Sequence, residues 1–171
     1  MTFFITQAVS AQHISFSEKR SSVHTYVKSK TFEGVVFSKD FMLPFLSEIS
    51  SDKRFTPSNK DIEQAEKLLA KDLKGVNALK LNQGGDRGPV IHDNLGRFVR
   101  QYFGYYTEDG DKIVYISCLL KDNYKSKSEK PANWLLGVVV VLNGGSNYWQ
   151  VQANLNKTSL FGLDVNNLAA Q

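Results

Sequence analysis

Two segments with strand-like alternation, joined by a short turn, constrain the fold of this chain more than any other feature. Residues 97–106 and 112–120 alternate between apolar and polar side chains in the manner of half-buried strands. Between them, Asp109-Gly110 is a strong signal for a two-residue hairpin turn, because a type I′ turn needs positive φ at both central positions. We therefore predict an antiparallel hairpin as part of a larger sheet.

A two-residue turn also predicts the register of this hairpin. Tyr106 would pair with Ile113, and Gly104 with Tyr115, whose ring would cover the bare glycine backbone. The core face would contain one polar exception, Gln101. Its apolar members would be Val99, Phe103, Tyr105, Val114, Ile116, Cys118 and Leu120. The other face, called here the predicted aromatic face, would carry Arg100, Tyr102, Tyr106, Ile113, Tyr115 and Leu119.

The clearest helix is predicted over residues 58–74. Thr56 or Ser58 can cap it, and Asp61 lies three residues after Ser58, as in a capping box. Gly75 is expected to end it. Apolar residues recur at spacings of three and four along one side, namely Ile62, Ala65, Leu69 and Leu73. A helix with one apolar side must bury that side, and the sheet is the expected partner.

A second hairpin is predicted near the end of the chain. Residues 134–142 include four consecutive valines and have no polar face, which is typical of a central strand covered on both sides. Residues 143–146 have turn chemistry, residues 147–155 alternate, and residues 160–165 can form a last strand. The polar, lysine-rich residues 121–133 are predicted to be a loop.

These elements predict an α+β fold with one main amphipathic helix packed on a curved antiparallel sheet of about four or five strands. Cystatin-like and NTF2-like folds share this element order, and that analogy is silent on function. The 171 residues suit one domain. We expect residues 12–46 to form a polar N-terminal arm with a short strand at 32–37, and residues 47–171 to form a single α+β domain.

Residues 1–11 contain no charged side chain and permit two interpretations. The small residues Val9-Ser10-Ala11 before Gln12 resemble the cleavage site of an export signal, whereas the basic start of such a signal is missing. The segment is therefore either a possible signal-peptide remnant or a first strand. No apolar run approaches the ~20 residues of a transmembrane helix. We expect a periplasmic or secreted protein, with a cytoplasmic location as the alternative.

Few residues in the chain offer reactive chemistry. One cysteine, Cys118, excludes an intramolecular disulfide and a cysteine-based zinc site within one chain. Cys118 is expected to face the core as a small hydrophobe. The three histidines, His13, His24 and His92, form no pair with metal-ligand spacing. We expect no cofactor and no metal, and we leave enzymatic activity open while favouring a non-enzymatic role.

The most site-like segment is the loop at residues 82–94. It combines glycines with Asp86, Arg87 and His92, and loops on rigid scaffolds often carry function. It matches no phosphate-binding pattern, because it lacks both GxxxxGK[ST] and a strand–GxGxxG–helix context. A simple connector is the alternative interpretation.

Three segments resemble a group of known proteins. They are Phe98-Val99-Arg100-Gln101-Tyr102-Phe103-Gly104-Tyr105, Asp109-Gly110-Asp111-Lys112-Ile113-Val114-Tyr115-Ile116, and Val141-Leu142-Asn143-Gly144-Gly145-Ser146-Asn147-Tyr148-Trp149. They resemble small exported bacterial proteins of unknown function, often lipoproteins, over roughly residues 55–168. The chain has no lipobox cysteine, so a lipid anchor is not supported. The resemblance implies export and a single domain, and no activity.

Two functions follow from these patterns. The first is a non-enzymatic exported binding or accessory protein of the bacterial envelope, which contacts another protein through the predicted aromatic face or the N-terminal arm. The second is a small ligand-binding or hydrolytic domain, with a pocket between helix and sheet bordered by the 82–94 loop. The arm covering the aromatic face is a further alternative. The net charge of +4 is only mildly basic, and we expect no nucleic-acid partner. The oligomeric state stays open.

Overall fold

A computed structural model of the chain describes residues 12–41, 48–124 and 133–166. The two interpretations of residues 1–11 lie outside these ranges, and so does most of the lysine-rich loop. Within the described ranges, no helix combines the length and the apolar character needed to cross a membrane.

The described residues form one α-helix, several short 3₁₀ helices and an open sheet of eight strands, which confirms the α+β class. The expected four or five strands understate the sheet. The elements are β1 Ile14–Lys19, β2 His24–Ser29, β3 Glu33–Phe37, β4 Arg54–Phe55, α1 Asn59–Val76, β5 Phe98–Tyr106, β6 Lys112–Leu120, β7 Tyr148–Asn154 and β8 Ser159–Val165. The strand order is β1-β2-β3-β5-β6-β7-β8, and β4 also pairs with β5. Only the β3–β5 pair is parallel among these strands.

The helix α1 begins as its sequence predicts. The Ser58 side chain accepts a hydrogen bond from the Asp61 backbone, and the Asp61 carboxylate accepts one from the Ser58 backbone, which completes the capping box. The helix continues through Gly75 and is capped by Asn77, so Gly75 does not end it. The predicted apolar stripe is buried, and α1 packs on β6, β7 and β8.

The register of the β5–β6 hairpin differs by one residue from the prediction. Tyr105 pairs with Ile113. The Thr107 amide donates to the Asp111 carbonyl, so three residues, not two, form the connection. Gly110 takes the positive φ of 82° that such three-residue loops need at their last position. Because strand side chains alternate, a shift of one residue moves the side chains of β5 to the opposite face relative to those of β6.

The shift divides the predicted aromatic face between two layers, so that part of the prediction is wrong. Arg100 and Tyr102 lie beneath α1. Ile113, Tyr115 and Leu119 lie on the opposite face of the sheet, where Tyr115 and Leu119 join a second buried cluster. The core therefore has two layers, one on each side of the β5–β6 hairpin.

Gly104 is covered by a different residue from the one expected. It pairs with Val114 across the hairpin and with Phe55 of β4, and not with Tyr115. A Cβ atom on Gly104 would lie 2.6 Å from the Phe55 carbonyl oxygen and 2.7 Å from its ring. Glycine at this position therefore permits the close approach of β4.

The predicted N-terminal arm, for which one short strand was expected, instead supplies three strands. The predicted strand at 32–37 is confirmed as β3, while β1 and β2 extend the sheet beyond it. Gly34 of β3 pairs with Arg100 of β5. A Cβ on Gly34 would lie 2.6 Å both from the Arg100 carbonyl oxygen and from the Tyr102 ring, so this seam requires glycine.

The valine-rich segment is not a strand, and the predicted second hairpin is wrong. The position beside β6 is occupied by β7, which pairs on its other edge with β8. The valine segment lies over the sheet face opposite α1, where Gln101 holds it. The Gln101 amide donates to the carbonyls of Trp134 (2.9 Å) and Gly137 (2.8 Å) and accepts from the Val139 amide (3.0 Å). These bonds replace those that a neighbouring strand would provide.

Candidate functional site

A buried polar cluster lies between α1 and the sheet. Glu66, Arg100 and Tyr102 are 2%, 1% and 0% exposed, respectively. The Arg100 Nε atom donates to Glu66 Oε1 at 3.2 Å, and the Tyr102 hydroxyl donates to the same oxygen at 2.9 Å. Arg100 Nη1 donates to the Phe98 carbonyl. Removing these two charges from water costs several kcal/mol for each ion.

The secondary structure positions this cluster directly. Glu66 follows Ile62 by four residues and precedes Leu69 by three, so helical geometry places it on the buried stripe of α1. Arg100 and Tyr102 are two residues apart in β5, so both side chains point toward α1.

Two atoms of this ion pair make no hydrogen bond within the described part of the chain. A guanidinium has five N–H groups, yet Arg100 Nη2 has no acceptor there, and Glu66 Oε2 has no donor. Among described residues, the only partnerless side-chain nitrogen or oxygen that is sealed from solvent is Trp149 Nε1. Arg100 Nη2 and Glu66 Oε2 are therefore not sealed.

Both side chains reach a cavity of about 360 Å³. This volume lies at the small end of the range of ~300–1,000 Å³ that is typical of ligand pockets. Exposed Lys30 and Gly96 form part of its rim, and half-buried Leu95 supplies an apolar wall. The full lining is Gln12, Lys30, Thr31, Glu66, Leu95, Gly96 and Arg100. We call this space the Arg100 cavity.

A smaller cavity of about 160 Å³ adjoins it. Lys121 on its wall forms an ion pair with Glu33. Burial alone raises the pKa of Glu33, but hydrogen bonds from Lys121 and Tyr26 outweigh that effect and lower it. The two cavities share Lys30, Thr31 and Gly96.

Electrostatics fix the protonation states on the cavity floor. Burial is the largest single influence on the pKa of Arg100 and lowers it, but the interactions with its neighbours, Glu66 foremost, together raise that pKa. Burial raises the pKa of Tyr102 well above its usual value, and Glu66 adds to this shift. Arg100 therefore stays cationic and Tyr102 stays a neutral donor. Burial also raises the pKa of the Cys118 thiol, which makes this residue a poor nucleophile at neutral pH.

The structure brings only part of the predicted site together. Arg100 lines the cavity, and Tyr102 lies behind it. Tyr106 is 37% exposed and packs on Phe55 with 4.9 Å between ring centroids. The remaining members of the predicted aromatic face, Ile113, Tyr115 and Leu119, are buried in other parts of the core.

The 82–94 loop does not line the Arg100 cavity. Asp86 and Arg87 are exposed, and the loop backbone is held by Ser146, whose hydroxyl contacts the carbonyls of Arg87 and Pro89. His92 Nδ1 lies 2.8 Å from the amide nitrogen of Asn77, the residue that caps α1. His92 therefore supports the end of α1. The first residue after this loop that lines the Arg100 cavity is Leu95.

A second aromatic surface, different from the predicted one, lies on the sheet opposite α1. Tyr105 donates its hydroxyl hydrogen to Gln152, and Tyr115 donates to Gln150. Phe161 of β8 lies opposite Gln152 and is 40% exposed. We call these five residues the tyrosine–glutamine face.

Sequence reasoning missed most of the cavity, although one signal was present. Glu66 is absent from the predicted apolar stripe, yet its spacing from Ile62 and Leu69 places its carboxylate on that side of the helix. Lys30 and Thr31 carried no signal, because their approach to Gly96 depends on the pairing of β3 with β5.

Comparisons of this chain with models of protein families, with curated proteins and with solved structures found no match. In the described ranges, no cluster of three or more histidine, cysteine, aspartate or glutamate residues is arranged to hold a metal ion.

Proposed function

We propose that this chain is a ligand-binding domain whose site is the Arg100 cavity. The observation that carries the proposal is the pair of unused atoms, Arg100 Nη2 and Glu66 Oε2, on a buried ion pair that lines an open space. Buried polar groups in proteins are normally satisfied, and a buried ion pair is weak evidence for stability. A bound ligand supplies the missing hydrogen bonds and accounts for the cost of burial.

This function corresponds to the second of the two expectations from the sequence, a pocket between helix and sheet. Its border differs from the expected one. The β2–β3 turn at Thr31 and the residues around Gly96 form the rim in place of the 82–94 loop.

Thermal unfolding in the presence of a library of small metabolites tests the proposal. A ligand that binds the folded state alone raises the Tm, and the stabilisation grows with the logarithm of one plus the ratio of free ligand concentration to Kd. We expect at least one compound to raise the Tm and to shift the amide resonances of Thr31 and Gly96. A library without any binder, or binders that shift resonances elsewhere only, would contradict this function.

A second candidate function is a partner-binding role for the tyrosine–glutamine face, in line with an accessory protein of the envelope. Its support is the exposure of Phe161 beside tyrosine and glutamine side chains, since aromatic residues are enriched at protein interfaces. A photocrosslinking residue at position 161 should give one discrete adduct in cells, whereas one at exposed Lys60 should not. Equal adduct patterns from both positions would exclude this role.

We also propose that the protein is exported to the periplasm or beyond. The support is the uncharged segment at residues 1–11, with small residues before Gln12. The N-terminal mass of the endogenous protein, measured together with its cell fraction, is the test. A chain beginning at Gln12 in an envelope or extracellular fraction is the expected result, and an intact Met1 in the cytoplasm would overturn it.

A further inference from the structure

We infer that the Arg100 cavity binds an acidic α-amino acid, with its carboxylate and ammonium groups meeting Arg100 and Glu66 and its side-chain carboxylate meeting Lys30. This inference rests on the proposed function and names the class of ligand. It follows from the charges that line the cavity.

The floor of the cavity presents one donor and one acceptor of opposite charge. Arg100 Nη2 is an unused cationic donor, and Glu66 Oε2 is an unused anionic acceptor. The 3.2 Å contact between Arg100 Nε and Glu66 Oε1 holds the two side chains side by side in the cavity lining, so one small ligand can contact both. A ligand that satisfies both must carry an acceptor and a donor close together, as the α-carboxylate and α-ammonium of an amino acid do.

Ligands with a single charge fit this floor poorly. A phosphate or a simple carboxylate would contact Arg100 but would also approach the Glu66 carboxylate, and this like-charge contact is repulsive. A simple amine meets the reverse problem at Arg100. A zwitterion gains from both groups, because charge-assisted hydrogen bonds are roughly twice as strong as neutral ones.

The rim of the cavity adds a further positive charge. The exposed Lys30 side chain lines both the Arg100 cavity and its smaller neighbour. The cationic groups of the Arg100 cavity thus outnumber its one carboxylate by two to one. A second carboxylate on the ligand, as in aspartate or glutamate, balances this charge, and the cavity of about 360 Å³ is large enough to hold either amino acid.

A matched series of ligands tests the inference by titration calorimetry. Glutamate and glutarate differ in the α-ammonium group, whereas glutamate and glutamine differ in the side-chain carboxylate. We expect glutarate to bind about tenfold or more weakly than glutamate, because it leaves Glu66 Oε2 unsatisfied. We expect glutamine to bind about two- to fivefold more weakly, because the contact with Lys30 is exposed to solvent.

Variants at the rim locate the effect without disturbing the core. Lys30→Ala should weaken glutamate binding about two- to fivefold and leave glutamine binding unchanged. Lys67→Ala removes another exposed lysine, from α1, and should change neither affinity. Equal effects of the two lysine variants would overturn the assignment of the side-chain carboxylate to Lys30.

A substitution of Glu66 in the cavity floor should change which ligand is preferred, and an unfolded variant could not show that change. Glu66→Gln removes the anionic acceptor and keeps the shape of the side chain. If the variant folds by circular dichroism, it should bind glutarate more tightly than the native protein does, and glutamate less tightly. If it does not fold, the ligand series and the Lys30 variant still decide the question.

The possible outcomes distinguish failure of the amino-acid ligand from failure of the proposed ligand-binding function. Glutarate binding as tightly as glutamate, with shifts at Thr31 and Gly96, would overturn the amino-acid ligand and keep a ligand-binding cavity. Failure of the whole series, together with failure of the metabolite library, would overturn both.

Discussion

Arg100 and Gln101 are consecutive residues of β5, and both are buried polar side chains, but the sheet sends them to opposite faces. Gln101 faces the valine segment, where both its amide nitrogen and its carbonyl oxygen make hydrogen bonds. Arg100 faces α1, where one of its terminal nitrogens has no described acceptor and a cavity lies beside it.

This difference separates a structural polar residue from a functional one. A satisfied side chain such as Gln101 repays its desolvation within the fold. A charged side chain that keeps unused hydrogen-bonding atoms beside open space can bond there to water or to a ligand, so its polar atoms are available for binding. Burial alone does not distinguish the two cases, because both residues are almost fully buried.

The largest expected loss of stability comes from substituting Arg100. Arg100→Met leaves the Glu66 carboxylate buried without its cation, and we expect it to lower the free energy of unfolding by about 3–5 kcal/mol. Adding Glu66→Leu should recover most of this loss, because replacement of a buried ion pair by apolar residues is often nearly neutral. Urea unfolding measures both changes. A single substitution costing under ~1 kcal/mol would show that Glu66 is not held as a buried charge.

Substitution of Gln101 should have a smaller effect, and the effect should be on stability alone. Gln101→Leu leaves the carbonyls of Trp134 and Gly137 and the amide of Val139 without their partner. We expect a loss of about 2–3 kcal/mol in urea unfolding, because unpaired buried polar groups are costly. Ligand affinity at the Arg100 cavity should not change, and a change would contradict the separation of the two faces.

The partly exposed ion pair between Asp61 and Lys112 serves as a reference for the buried pair of Arg100 and Glu66. Burial alone raises the pKa of Asp61, but hydrogen bonds from Lys112 and Ser58 outweigh it and lower that pKa. The Asp61 contribution is therefore complete above its ordinary pKa near 4 and is lost as the pH falls through the lowered value. Asp61→Asn should cost about 1 kcal/mol at pH 7, and the difference from the native protein should shrink below pH ~4. A difference independent of pH would contradict the role of the carboxylate.

The smallest effect on stability should occur at the cavity rim. Lys30→Ala removes an exposed side chain, and we expect the free energy of unfolding to stay within about ±0.5 kcal/mol of the native value. Ligand affinity should fall all the same. A large loss of stability, measured by urea unfolding, would show that Lys30 supports the fold and not the site.

Local patterns predicted the elements whose signals are themselves local. The capping box at Ser58 and the alternation of β5, β6 and β7 were sufficient for α1 and for three strands. The register was not predictable in this way, because Asp109-Gly110 suits a two-residue and a three-residue loop alike. The difference of one residue in loop length determines which face of the sheet carries Arg100 and Tyr102 relative to the side chains of β6.

The remaining strands and the cavity depend on contacts between residues that are distant in sequence. The polar β1 and β2 become strands because β3 offers them an edge, and β3 itself is placed by Gly34 against β5. The valine segment has strand-like composition, yet β7 occupies the position beside β6. For the same reason, the sequence indicated Arg100 but not the cavity, whose walls meet only after β3 and β5 have paired.

The parallel pairing of β3 with β5 has a consequence for how the molecule opens. It joins segments far apart in sequence, so closing it costs more chain entropy than any hairpin of the sheet. We therefore predict that β1–β3 exchange their amide hydrogens as one cooperative unit, separately from the rest of the sheet. The Arg100 cavity straddles this seam, with Thr31 on one side and Gly96 on the other. We expect a ligand bound in the cavity to contact both sides of this seam and to slow hydrogen exchange along β3.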